Sequence, residues 1–100
     1  MLAEHRQFIL PGQKELHANI KVIPTGELEV NIQEEAHQFQ AEFEELYFYT
    51  AGNSTELVCR EQLGSDAVRW QLYLANEDAR ELAKLIELAE EEFEILMRDL

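Results

Sequence analysis

Residues 34–49 read EEAHQFQAEFEELYFY, and two structures fit them. As a helix, Asn31 can cap, Glu34 falls at the capping-box position, and Ile32, Ala36, Phe39, Phe43 and Leu46 follow a 4-3-4-3 spacing. As a strand, His37, Phe39, Ala41 and Phe43 take one face, and Gln38, Gln40, Glu42 and Glu44 take the other. The alternation is unbroken over those residues and runs into Leu-Tyr-Phe-Tyr-Thr, a strongly strand-like composition. The adjacent Glu44-Glu45 pair breaks the parity as a β-bulge would. The pattern favours the strand, with the phenylalanines turned toward the final helix. The alternative is a helix over 33–45 and a strand that starts near Leu46.

On the N-terminal side, Ala18, Ile20 and Val22 alternate with His17, Asn19 and Lys21, and Leu28, Val30 and Ile32 alternate with Glu27, Glu29 and Asn31. Pro24-Thr25-Gly26 between them predicts a hairpin. Residues 1–15 read as an N-terminal arm, in which Phe8-Ile9-Leu10 can add an edge strand before Pro11-Gly12. On the C-terminal side, 51–55 reads as a loop, 56–62 as a strand and Leu63-Gly64-Ser65-Asp66 as a turn. Val68, Trp70, Leu72 and Leu74 then alternate with Arg69, Gln71 and Tyr73, with Trp70 on the core side. Asn76 caps a final helix over 76–99, and Glu77 and Asp78 sit where the helix dipole favours acids. The expected architecture is α+β: an antiparallel four- to five-stranded β-meander (16–74) packed by a long C-terminal α-helix, in one domain over 16–100.

That helix carries a wide apolar face. Ala79, Leu82, Ala83, Ile86, Ala89, Phe93, Leu96 and Leu100 form a stripe that Leu85, Leu88 and Ile95 broaden. At about 36 Å it can overhang the sheet of a small domain. A homodimer through Leu85, Leu88, Phe93, Ile95 and Leu96 is therefore expected, twofold dimers being the commonest oligomers.

The charge is lopsided: eight Lys and Arg face 21 Asp and Glu, a net charge of −13. Between Val22 and Cys59 there are eight glutamates and no Lys or Arg, and the last 24 residues hold nine acids against Arg80, Lys84 and Arg98. Such a field repels phosphate backbones and anionic lipid and attracts basic surfaces. It also simply keeps a small protein soluble. Cys59 is the one cysteine, which rules out an internal disulfide and suits a reducing compartment. The N-terminus lacks the features of a signal peptide, and no apolar run is long enough to span a bilayer. A cytoplasmic location follows as the expectation.

Catalytic patterns are missing. The sequence has no nucleophile elbow, phosphate-cradling glycine loop, zinc-protease or EF-hand spacing, and no cofactor motif. Asn53-Ser54-Thr55 matches a glycosylation sequon and reads better as turn chemistry. His17 and His37 with Glu34 or Glu35 could hold a metal only if they converged, which nothing in their spacing requires; no metal site is expected. The segment VRWQLYLANEDARELAKLIELAEEEF (68–93) resembles the strand-then-helix unit of the whirly-type single-stranded-DNA-binding coactivators. That family's basic strands are replaced here by glutamate, so direct nucleic-acid binding does not carry over.

The functional expectation is a small non-enzymatic interaction protein. It would be dimeric and would offer Glu27, Glu29, Glu42 and Glu44 to a basic partner protein. Two alternatives are a nucleic-acid mimic that blocks a DNA- or RNA-binding protein, and a small-ligand binder or enzyme with a pocket at Tyr47, Tyr49 and Trp70.

Overall fold

The period-2 pattern sets the first sheet directly. In a computed structural model, which describes residues 2–61 and 67–98, β1 (Glu4–Leu10), β2 (Leu16–Ile23), β3 (Glu27–Ile32) and β4 (His37–Glu42) pair antiparallel in chain order. The expected arm is therefore largely strand: all seven residues of β1 pair with β2, from Glu4 opposite Val22 to Leu10 opposite Leu16. The 24–26 turn forms as read, closed by Gly26 N–H to Ile23 O at 3.0 Å, with Gly26 at φ +118°. The turn expected at 63–66, the end of the strand expected over 56–62, and Asp99 and Leu100 lie outside the described residues.

The stretch 34–49 resolves in favour of the strand, with two departures. Its first part is a tight turn before β4, closed with Ala36 at φ +52°. Its Glu44-Glu45 step is a single 3-10 turn, Phe43–Glu45, in place of a bulge. The Glu45 carboxylate accepts the Glu42 backbone N–H at 2.9 Å and the Arg69 guanidinium at 2.9 Å. Phe43 N–H donates to Gly26 O at 2.9 Å. This junction carries the chain out of the first sheet and into a second, made of β5 (Leu46–Ala51), β6 (Ser54–Arg60) and β7 (Val68–Ala75). The α+β class holds. The expected antiparallel meander is there as the four strands β1–β4, and the remaining strands form a second, three-stranded sheet, with no ladder between the two among the described residues.

The inner faces of both sheets meet one helix, α1 (Asn76–Arg98), which touches β2, β6 and β7. Ile20, Leu28, Leu57, Leu74 and Leu82 are wholly buried between them. Trp70 is core, as its position predicts, but Phe39 faces it rather than the helix. Their rings stack at 5.5 Å, and Trp70 Nε1 donates to Gln40 O at 3.1 Å. Asn76 starts the helix and anchors it backwards: its Oδ1 accepts the buried Thr55 hydroxyl at 2.7 Å, and its Nδ2 donates to Gly52 O at 3.0 Å. Among the described residues of the helix, Ala79, Leu82, Ile86 and Ala89 are buried. From Glu90 to Arg98, about 13 Å of helix, no described side chain is buried.

Leu82→Ala should therefore cost about 2–5 kcal/mol in urea unfolding, because the cavity lies where both sheets meet the helix. Leu88→Ala, on the open flank, should stay within about 0.5 kcal/mol.

Candidate functional site

Strand register decides what the first sheet shows to solvent. Its outer face carries the partners of the buried rows. Reading the pairings across the strands gives one row of His5, Lys21, Glu29 and Gln40, and a second of Gln7, Asn19, Asn31 and Gln38. These two rows floor an open trough of about 730 Å³, about three times the volume of the clefts beside Asn76 and beside Pro11. Gln7 Nε2 donates to Asn19 Oδ1 and to Gln33 Oε1, both at 3.1 Å. Among the described residues, Lys21 and Glu29 form no ion pair although they stand directly opposite, and the carboxamides of Asn31, Gln38 and Gln40 have no hydrogen-bond partner.

Three of the four expected partner-binding glutamates share this face. Glu29 lies in the trough, and Glu27 stands directly opposite Glu42 at one end of the sheet. Like charges placed so are mutually destabilising, and neither is in an ion pair among the described residues. Glu44 leaves the face and sits exposed in the 3-10 turn beside Glu42. The acidic surface is thus a corner, Glu27, Glu42 and Glu44, while the middle of the sheet is amide-rich and holds Lys21.

The histidines do not converge. His17 points outward and holds Glu34, which accepts both the ring Nδ1–H and the His17 backbone N–H, so the β3–β4 turn is tied to β2. His37 belongs to the inner row opposite Ile32 and sets its ring edge-on to Phe39 at 6.0 Å. Among the described residues no group of three His, Cys, Asp or Glu is placed to hold a metal ion. Cys59 is buried in the core, and burial pushes its thiol up.

Tyr47, Tyr49 and Trp70 form no common pocket, because Trp70 projects from the inner face of the second sheet and the tyrosines from its outer face. The tyrosine rings lie near-parallel at 6.5 Å, and the Arg60 guanidinium sits 5.8 Å and 5.6 Å from their centres. Arg60 Nε is buried there without a hydrogen-bond partner among the described residues. Sequence reasoning missed this arginine, because the pairing that brings residue 60 to residues 47 and 49 becomes visible only with the β5–β6 register.

Of the expected dimer residues, Leu85 packs on the protein's own core. Leu88 and Ile95 are 47% and 53% exposed, Phe93 is half-buried, and the Leu96 side chain lies outside the described residues. Met97, not singled out from the sequence, is 53% exposed.

No protein-family model, curated protein or solved structure matches this chain. Among the described residues no helix is long and apolar enough to cross a membrane.

The His17–Glu34 pair gives a pH signature. The carboxylate raises His17 above an imidazole's ordinary 6.5, chiefly by its hydrogen bond. The two His17 donors hold Glu34 below 4.5, the backbone N–H foremost. The raised histidine stabilises the fold below 6.5 and loses that contribution as pH rises through its folded pKa. The lowered carboxylate contributes above 4.5 and loses its share as pH falls. The drop in thermal midpoint caused by His17→Gln should be largest between pH 4.5 and 6.5 and shrink on both sides.

Proposed function

We propose that this protein is a non-enzymatic interaction module of the cytoplasm, which works as a homodimer and presents an acidic corner to a basic partner protein. The observation that carries the reading is the second half of α1. Beyond Ala89 no described side chain of the helix is buried, and Phe93, Ile95 and Met97, with Leu88 just before them, keep apolar surface in water. A second copy of the same helix is the simplest cover, since a twofold pairing lets one apolar strip bury itself against its twin. The partner reading rests on Glu27 and Glu42. Their direct opposition stores a repulsion that an approaching lysine or arginine relieves.

The two contacts should answer salt in opposite ways. Each chain carries −13, so dimerisation brings like charges together and tightens as salt screens them. Between about 10 mM and 150 mM salt the screening length falls from about 30 Å to about 8 Å. Binding of a basic partner weakens over the same range. Sedimentation velocity should give twice the 11.7 kDa chain mass at about 150 mM salt. Leu88→Glu combined with Ile95→Glu should return the chain to monomer and lower its thermal midpoint no further than that of wild type diluted to monomer. Glu27→Gln with Glu42→Gln should leave the dimer intact and weaken capture of the basic partner. A wild-type monomer at every salt concentration would contradict the dimer. Undiminished capture by the glutamine variant would contradict the acidic corner. Capture that duplex or single-stranded nucleic acid competes away would instead identify a nucleic-acid mimic.

A further inference from the structure

We propose that the trough on the outer face of the four-stranded sheet is a binding site for a short neutral saccharide. The inference stands apart from the dimer and from the acidic corner, because Glu27 and Glu42 do not line the trough.

A polar outer face is ordinary for an antiparallel sheet with one side in water. Two features here exceed that. The face carries a trough of about 730 Å³, open to solvent and within the volume range of small-molecule sites. Its floor also keeps unspent hydrogen-bonding capacity in a regular array. Among the described residues, Lys21 and Glu29 are partly buried, directly opposed and unbridged, and the exposed carboxamides of Asn31, Gln38 and Gln40 bond to no protein group. Standing opposite on neighbouring strands, the ammonium and the carboxylate are both open to a third party.

The lining then selects the ligand. An apolar molecule would leave these groups unpaired, at a cost of about 1–3 kcal/mol each. A phosphate or other polyanion meets Glu29 and the field of a −13 chain. A basic peptide meets the Lys21 ammonium in the centre of the floor. What remains is a neutral ligand dense in groups that both donate and accept. A carboxamide offers two donors and an acceptor side by side, which matches a pair of neighbouring hydroxyls; Glu29 accepts from a hydroxyl and Lys21 donates to one. Backbone recognition is unavailable in the middle of the face, since the strands spend their amides on each other.

The dimensions agree. Four strands at about 4.8 Å spacing make each row about 14 Å long, and the rows lie about 7 Å apart, two residues along the strands. That is the footprint of a short oligosaccharide laid across the strands. The one aromatic in the lining, Phe39, turns its ring to Trp70 on the inner side, so binding is through hydrogen bonds and weak.

The test is a two-dimensional amide NMR titration with three probes: a neutral hexose trisaccharide, trialanine and inorganic phosphate. The trisaccharide should shift amides in 5–7, 19–21, 29–31 and 38–40 and leave those of β5–β7 in place. Asn31→Ala with Gln38→Ala, at exposed positions, should weaken binding about tenfold or more without lowering the thermal midpoint. Glu27→Gln with Glu42→Gln should leave saccharide binding unchanged, which separates this site from the acidic corner. No shift with the trisaccharide, shifts scattered outside the four segments, or a trough response to trialanine or phosphate alone would overturn the proposal. So would a double alanine variant that binds as tightly as the wild type.

Discussion

Two sheets with no ladder between them among the described residues share one core: β1 lies against β7, and a single helix lies across both sheets. The first half of α1 supplies Ala79, Leu82, Ile86 and Ala89 to a space walled by Ile20 and Leu28 on one side and Leu57 and Leu74 on the other. Hairpins and small meanders are marginal alone in water, so each sheet depends on the helix for an apolar layer. The relation between the sheets is then set by a few directional contacts. Phe39 stacks on Trp70, Trp70 bonds Gln40 O, and Glu45 joins the 3-10 turn to Arg69. The trough inherits its shape from this arrangement, because the inner face of the first sheet is pinned and its polar rows are left to line the open side.

Most strands could be read in the sequence because each keeps strict parity: Leu28, Val30 and Ile32 are buried, and so are Trp70, Leu72 and Leu74. The helix could be read for the same reason: Ala79, Leu82, Ile86 and Ala89 of its apolar stripe are buried. The stretch 34–49 resisted because its turn carries no turn chemistry. Ala36 holds a backbone conformation that glycine or asparagine usually takes, so Glu-Glu-Ala reads as the start of a helix. Tertiary pairing with β3 overrides that local preference. The division into two sheets hid in the Glu44-Glu45 step, where a 3-10 turn and a bulge break parity alike.

The candidate site was legible only in part, since it is a property of register. The sequence places glutamates on an outer face, and Glu27, Glu29 and Glu42 are there. It does not reveal that pairing with β1 and β2 brings His5, Lys21, Gln7 and Asn19 onto the same floor, which turns an expected acidic plane into an amide-lined trough with an acidic corner. Likewise Arg60 meets Tyr47 and Tyr49 only through the β5–β6 pairing, and Leu85 is lost to a dimer surface because it faces the sheets.

The proposed dimer would give one helix two tasks along its length: its first half closes the protein's own core, and its second half would offer apolar surface to a second copy. Hydrogen exchange measured at low and high protein concentration tests that division most directly. Amides over 79–89 should be strongly protected at both concentrations, as members of the global core. Amides over 90–98 should exchange fast when dilute and gain protection as concentration rises. Fast exchange over 90–98 at every concentration would contradict the account, and so would equal protection of both halves in the dilute monomer.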